Sequence, residues 1–156
     1  MKRILVVVLL LIIAGLSQAA TPHASFAGQW TFDPTQSKNI GMMAEATIKT
    51  VITQSKTEVV VDDTSTFKGQ ADTQHTVYEL SGKPAANTSM MAGQATTRSH
   101  WEADRLITEW ESSGAIAGTV NKRVETRYLS PDGNTMSVES AHPGKDPMVI
   151  VYTRSK

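Results

Sequence analysis

The stretch from residue 120 to residue 140 constrains the fold most, because two alternating segments flank a turn signal there. The turn reads Ser-Pro-Asp-Gly at positions 130–133. Pro131 presets the backbone angle that the second residue of a type I turn needs, and Gly133 accepts the left-handed conformation that follows. The pattern predicts a β-hairpin, and hence antiparallel strands.

Closure at this turn predicts a register in which Tyr128 pairs with Met136 and Thr126 pairs with Val138. One face of the hairpin is then mostly apolar and the other is charged, which makes the register self-consistent. The residues expected on the charged, solvent-facing side of the first strand are Arg123, Glu125 and Arg127.

The first 19 residues have the pattern of a secretory signal peptide. Lys2 and Arg3 precede an apolar run at 4–16, and Ser17 to Ala19 forms a small-x-small cleavage site. The run is shorter than the roughly 20 residues that a membrane-spanning helix needs. We therefore expect a leader at 1–19, one domain at 20–156, a periplasmic or secreted location, and no stable membrane anchor after cleavage.

Composition narrows the possible partners. The chain carries 15 basic and 15 acidic residues, and two of the basic ones lie in the leader. No basic cluster is present that could neutralise phosphates, so nucleic acid is not an expected partner. The chain also has no cysteine, so its stability must come from an ordinary core rather than from disulfides.

A second hairpin shows the same division into two faces. Strands at 96–102 and 105–112 are joined by a two-residue turn. This closure pairs Trp101 with Leu106 on the inner face and Arg98 with Glu109 on the outer face.

Further strands are predicted across the remaining chain, and no convincing helix beyond a helical turn near 42–45. They lie at 26–32, 47–54, 57–62, 71–80 and 148–154, and 85–94 is expected to be a loop. Short turns between successive strands favour antiparallel neighbours, and closing such a sheet removes its edges. We predict an all-β fold, an antiparallel up-and-down meander closing into a lipocalin-like β-barrel of eight or nine strands. A two-sheet sandwich is the alternative.

Several short motifs support this fold. The segment Gly28-Gln29-Trp30 resembles the Gly-x-Trp signature of lipocalins and the wider calycin group. The chain as a whole resembles small exported bacterial lipocalin-like proteins, most of which have no known function. The shared motifs are Asp33-Pro34-Thr35-Gln36-Ser37, Tyr78-Glu79-Leu80-Ser81-Gly82-Lys83, the hairpin at 101–106, Leu129-Ser130-Pro131-Asp132-Gly133 and Val151-Tyr152.

This resemblance implies an exported barrel in which Trp30 plugs the floor beneath a basic side chain from a late strand. Three residues are candidates for that side chain, and the sequence does not choose among Arg123, Arg127 and Arg154.

The candidate site residues are aromatic rings and loop methionines. Trp30, Trp101, Trp110 and Tyr128 fall on predicted apolar faces, where they either line a pocket at the barrel mouth or fill the core. Methionine pairs at 42–43 and at 90–91 suit an adaptable lid over an apolar ligand. We expect a non-enzymatic protein that binds a small apolar or amphipathic molecule without a cofactor, using the four aromatic residues together with Met90 and Met91.

Other interpretations stay open. The methionines with His75, His100 and His142 are a weaker candidate copper site, and ordinary loop packing would also explain them. No zinc-type spacing and no nucleophile–base motif occurs in the sequence. The alternative function is inhibition of a secreted protease through an N-terminal segment at 20–26. Known inhibitors of this design carry a disulfide, which this chain lacks.

Overall fold

The computed structural model of the chain describes residues 23–89 and 93–155. These residues form ten strands and one short 3-10 helix, η1, between the first two strands. The strands are β1 (Gly28–Phe32), β2 (Thr47–Gln54), β3 (Glu58–Phe67), β4 (Gln70–Glu79), β5 (Ala85–Ser89), β6 (Gly93–Glu102), β7 (Arg105–Ser113), β8 (Val120–Leu129), β9 (Thr135–Ala141) and β10 (Met148–Arg154), and η1 spans Gly41–Glu45.

All ten strands belong to one antiparallel sheet, in the order β4-β3-β2-β1-β10-β9-β8-β7-β6-β5. Strands that follow one another in sequence pair with each other, except for β4 and β5, which are the two edges of the sheet. In addition, β1 pairs with β10. The all-β meander that curls into a nearly closed barrel confirms the predicted fold class. The strand count exceeds the predicted eight or nine because Ala85–Ser89, expected as a loop, pairs with β6.

Side chains close the seam between β4 and β5. The Asn87 amide accepts a hydrogen bond from the Val77 N–H at 2.9 Å and donates to the Val77 carbonyl at 2.9 Å. It also donates to Thr97 at 2.7 Å. Higher on the seam, Gln74 donates to the Thr88 carbonyl at 3.1 Å. The Asn87 amide thus substitutes for a backbone peptide group.

The register of the β6–β7 hairpin confirms the sequence prediction. Trp101 pairs with Leu106, and Arg98 pairs with Glu109. Leu106 is 1% exposed, whereas Arg98 and Glu109 lie on the solvent face. The two-residue turn left no freedom in the pairing, so the predicted faces were right.

The predicted register of the β8–β9 hairpin is wrong by one residue. Tyr128 pairs with Ser137, and Leu129 pairs with Met136. The turn has four residues, because Asn134 stays in it and its N–H donates to the Asp132 carboxylate at 3.1 Å. Hydrogen bonds from Ser130 and then from Asn134 lower the pKa of Asp132 to about 2.

This shift exchanges the two faces of β8, since side chains alternate with a period of two. Arg123, Glu125 and Arg127 point into the barrel instead of into solvent, and Glu125 and Arg127 are 7% and 5% exposed. Tyr128 lies on the outer face, where the Arg105 guanidinium lies 4.7 Å from its ring centre. The expectation that Tyr128 faces the interior is therefore wrong.

The barrel has two different ends. We call the end that carries the N-terminal segment and the β2–β3, β6–β7 and β8–β9 turns the closed end. We call the end that carries η1 and the β3–β4, β7–β8 and β9–β10 turns the open end. None of the residues described here forms a helix long and apolar enough to cross a membrane.

Candidate functional site

The closed end is filled by apolar side chains and covered by the N-terminal segment. Phe26 is completely buried, and its carbonyl accepts a hydrogen bond from the Trp30 indole at 2.8 Å. Gln54 ties the segment to β2, because it accepts from the Phe26 N–H at 2.8 Å and donates to the Ala24 carbonyl at 3.0 Å. Trp101 adds a ring stacked against Phe26 and, at 4.5 Å between centroids, against His23.

The basic side chain over Trp30 is Arg154. Its guanidinium lies 4.2 Å from the indole and donates to the carbonyls of Ala27 at 2.9 Å and Gly133 at 3.0 Å. Gly28 has a φ of 131°, and a Cβ there would lie 2.7 Å from Arg154 Nη1. The Gly-x-Trp segment therefore needs glycine, because other residues rarely adopt this φ and a Cβ would also displace the Arg154 guanidinium.

Midway along the barrel, Tyr78, Glu125 and Arg127 form a buried group that we call the central cluster. The Tyr78 hydroxyl donates to Glu125 Oε1 at 3.0 Å. Arg127 Nη2 lies 3.2 Å from the same oxygen and 3.2 Å from the Tyr78 hydroxyl. Burial raises the pKa of Tyr78 above its ordinary value, so the phenol stays protonated and remains a donor.

A cavity of about 160 Å³ lies between the central cluster and the open end. One part of its wall is apolar and includes Met43 from η1, and the other part is polar. The apolar lining residues are Met43, Ile48, Val138, Met148, Ile150 and Tyr152. The polar lining residues are Asp63, Ser65, Gln74, Arg123, Glu125 and Ser140.

The carboxylates of the cavity wall already have donors. Thr50 donates to Asp63, and the Tyr78 hydroxyl and Arg127 hold Glu125. Burial raises the pKa of Asp63 above its ordinary value, and the hydrogen bond from Thr50 partly opposes that effect. Asp63 therefore takes a proton more readily than an exposed aspartate does.

The donors of the same region are less well paired. Within the described part of the chain, four buried polar atoms have no hydrogen-bond partner: Trp110 Nε1, Arg123 Nε, Arg127 Nε and Ser140 Oγ. The Arg123 guanidinium stacks over the Trp110 ring at 4.3 Å, and no salt bridge to a described residue neutralises it. Unpaired buried donors are uncommon in folded proteins. Of the four residues, Arg123 and Ser140 line the cavity, so a hydrogen-bond acceptor placed there would find a partner.

The predicted site residues that the structure describes lie in three different places. Trp30 and Trp101 belong to the closed end, far from the cavity lining, and Trp110 lies behind Arg123. Tyr128 lies on the outer face, and Met90 and Met91 lie outside the described residues. The two methionines at 42–43 lie in different environments, since Met43 lines the cavity whereas Met42 is 73% exposed.

The polar lining residues were missed because charged residues in an alternating strand were interpreted as solvent-facing. The available signal was Asn134, which follows Gly133 and lengthens the turn by one residue. Across residues 23–89 and 93–155, no group of three or more His, Asp or Glu side chains could hold a metal ion.

Neither a family model nor a curated protein matches the sequence. Solved structures do match. A variant of the fluorescent protein UnaG aligns with a TM-score of 0.65 at 12% identity, over 84% of this chain and 96% of its own. The REP1-NXSQ fatty acid transporter gives 0.63 at 16%, over 83% and 96%. Apo lipid binding protein 8 of Caenorhabditis elegans gives 0.64 at 12%, over 83% and 95%.

At this level of identity the likeness concerns the fold alone. The strand order and the shared length agree with it, since nearly the whole of each neighbour is covered. The chain folds as a lipocalin-like β-barrel.

Proposed function

We propose that the protein is a non-enzymatic binding protein that holds a small amphipathic molecule in the cavity at the open end. The apolar wall would bury the body of the ligand, with Ile48, Ile150 and Tyr152 as its main contacts. Such burial contributes roughly 25 cal/mol per Å² of apolar surface. Met43 would adapt to the shape of the ligand from the rim.

The observation that carries this proposal is the set of unpaired donors in the interior. Arg123 lines the cavity, and its charge has no carboxylate partner among the described residues. Ser140, on the neighbouring strand β9, adds a hydroxyl without a described partner. An anionic head group, such as a carboxylate, would supply the missing acceptor and the missing charge together.

Binding fits the site better than catalysis. A general base needs a free lone pair and a nucleophile nearby. Asp63 and Glu125 are instead occupied by hydrogen bonds from Thr50, Tyr78 and Arg127. The names of two structural neighbours, a fatty acid transporter and a lipid binding protein, are consistent with a binding role.

Calorimetric titration with octanoate and with benzoate tests the proposal. We expect saturable binding that falls at least tenfold in Arg123→Gln, because a buried charge-assisted hydrogen bond is lost. The matched control is Arg98→Gln, which removes an arginine from the outer face and should leave the affinity unchanged. Absence of saturable binding, or equal affinities in the two variants, would rule the proposal out.

Export and protease inhibition are separate proposals. We propose that residues 1–19 direct export, which cell fractionation with an antibody to the barrel would test. The inhibitor alternative has less support, because residues 23–26 of its inserting segment are packed at the closed end. Deleting residues 20–25 discriminates, since an inhibitor would lose its activity and a cavity binder would keep its affinity.

A further inference from the structure

We propose that the central cluster blocks the barrel interior below the cavity, and we call this barrier the floor. It limits the enclosed part of the ligand to a compact group and excludes a long chain from the lower half of the barrel. This inference rests on the proposed function and specifies its ligand class. The class is a small anion whose apolar body is the size of one ring or of a chain of about six to eight carbons.

The first argument is the volume. The cavity measures about 160 Å³. Ligand pockets usually measure about 300–1,000 Å³, whereas an apolar cavity of about 150 Å³ accommodates benzene. The enclosed space therefore suits a ring-sized body, and the rest of a long acyl chain would extend through its open side into solvent.

The second argument is what lies beneath the cluster. The interior from there to the closed end is filled by side chains of 0–2% exposure, namely Trp30, Ile52, Val59, Leu106 and Met136. Arg127 Nη1 lies 3.6 Å from the Met136 sulfur, which fixes the cluster directly on this layer. A ligand cannot pass without displacing a packed core, and packed cores resist added volume.

The third argument is that ring contacts and an ion pair hold the cluster in place. Arg127 lies 5.2 Å from the centre of the Tyr78 ring, and Tyr78 meets Trp110 edge-on at 6.2 Å. Moving Arg127 or Glu125 would separate a buried guanidinium from the one described carboxylate that pairs with it, at 3.2 Å. Leaving a buried charge unpaired is strongly unfavourable, so the floor does not open on ligand binding.

Chain length is the direct test. Straight-chain carboxylates of increasing length are titrated below their aggregation concentrations into the wild-type protein by calorimetry. We expect the affinity to rise about fourfold per methylene up to about eight carbons and to stay level from there to hexadecanoate, because further carbons would remain in solvent. If the affinity continued to rise through dodecanoate to hexadecanoate, the proposal of a floor would be wrong, while the proposed function would stay intact. Failure of every chain length to bind would overturn both.

A paired variant tests the cluster itself. Glu125→Ser with Arg127→Ala removes both charges and most of the volume of both side chains. This change should raise the affinity ratio of dodecanoate to octanoate at least tenfold, because the space vacated above the packed core admits further carbons. The matched control is Arg98→Ala with Glu109→Ser, an opposite-charge pair on the outer face of β6 and β7. An unchanged ratio in a folded cluster variant, as judged by circular dichroism, would contradict the proposal. If that variant does not fold, the wild-type length series decides.

Discussion

The two ends of the barrel are built by the same alternating strands but are filled in opposite ways. At the closed end the inward side chains are apolar, tightly packed and covered by the N-terminal segment. At the open end the inward positions of β3 and β8 carry Asp63, Arg123 and Glu125 around a cavity. The difference teaches that alternation specifies which residues point inward but not what the interior is for. One end supplies stability, and the other gives up close packing for a polar site.

The largest expected effect is at the closed end. Trp30→Ala should lower the free energy of unfolding by about 3–5 kcal/mol, because a fully buried indole leaves a cavity behind. Urea unfolding measures the loss, and ligand affinity at the open end should not change. Trp101→Ala is the control, since the half-buried ring should cost less. A loss below about 1 kcal/mol for Trp30 would mean that the closed end does not supply the stability.

The buried ion pair at the centre should respond differently to single and double changes. Glu125→Met leaves Arg127 charged and unpaired, so we expect a loss of about 3–5 kcal/mol in urea unfolding. The double change Glu125→Met with Arg127→Met should restore stability to near or above wild type. A double variant less stable than the single one would show that the pair stabilises the fold rather than shaping the site.

The seam between β4 and β5 is expected to give an intermediate effect. Asn87→Ala leaves the N–H and carbonyl of Val77 without partners, which should cost about 2 kcal/mol. Hydrogen exchange at the Val77 amide reports the opening locally. Thr88→Ala, at the exposed neighbouring position, is the matched control. Unchanged exchange at Val77 would show that the amide of Asn87 does not hold the seam.

A substitution on the outer face of β8 should have little effect on stability. Tyr128→Ala removes the contact with Arg105 on the outer face, and we expect a loss of about 0.5–1 kcal/mol with no change in ligand affinity. Leu129→Ala, one residue further and on the inner face, should cost more. A loss of stability for Tyr128→Ala as large as that for Trp30→Ala would support the register predicted from the sequence, in which Tyr128 faces the interior.

The smallest effect is a pH dependence from Asp63. Burial raises its pKa in the folded state, so its contribution to stability is full below the unfolded value of 3.8 and is lost as the pH rises through the folded pKa. Asp63→Asn stays neutral, so its stability relative to wild type should rise between about pH 4 and the folded pKa of Asp63 and stay constant above that pKa. Urea unfolding at several pH values measures the slope. If the difference in stability between Asp63→Asn and wild type did not change with pH, Asp63 would lie in a solvated site.

The two hairpins show how far the sequence could predict this structure. The β6–β7 turn has two residues, so alternation alone gave the correct pairs and the correct faces. The β8–β9 turn holds Asn134 through Asp132, and this single additional residue moved three charged side chains from solvent into the core. Similarly, Ala85–Ser89 has little strand propensity of its own and becomes β5 because β6 offers it an edge.

The sequence by itself determined the all-β meander and the strand order that follows from short turns, because these depend on local periodicity and turn chemistry. The tertiary structure alone decided which arginine covers Trp30, which face of β8 is buried, and where the interior stays open. Those outcomes depend on contacts between strands far apart in sequence, such as Gly28 with Arg154 and Tyr78 with Glu125. Barrel closure brings such residues together, and no local pattern records it.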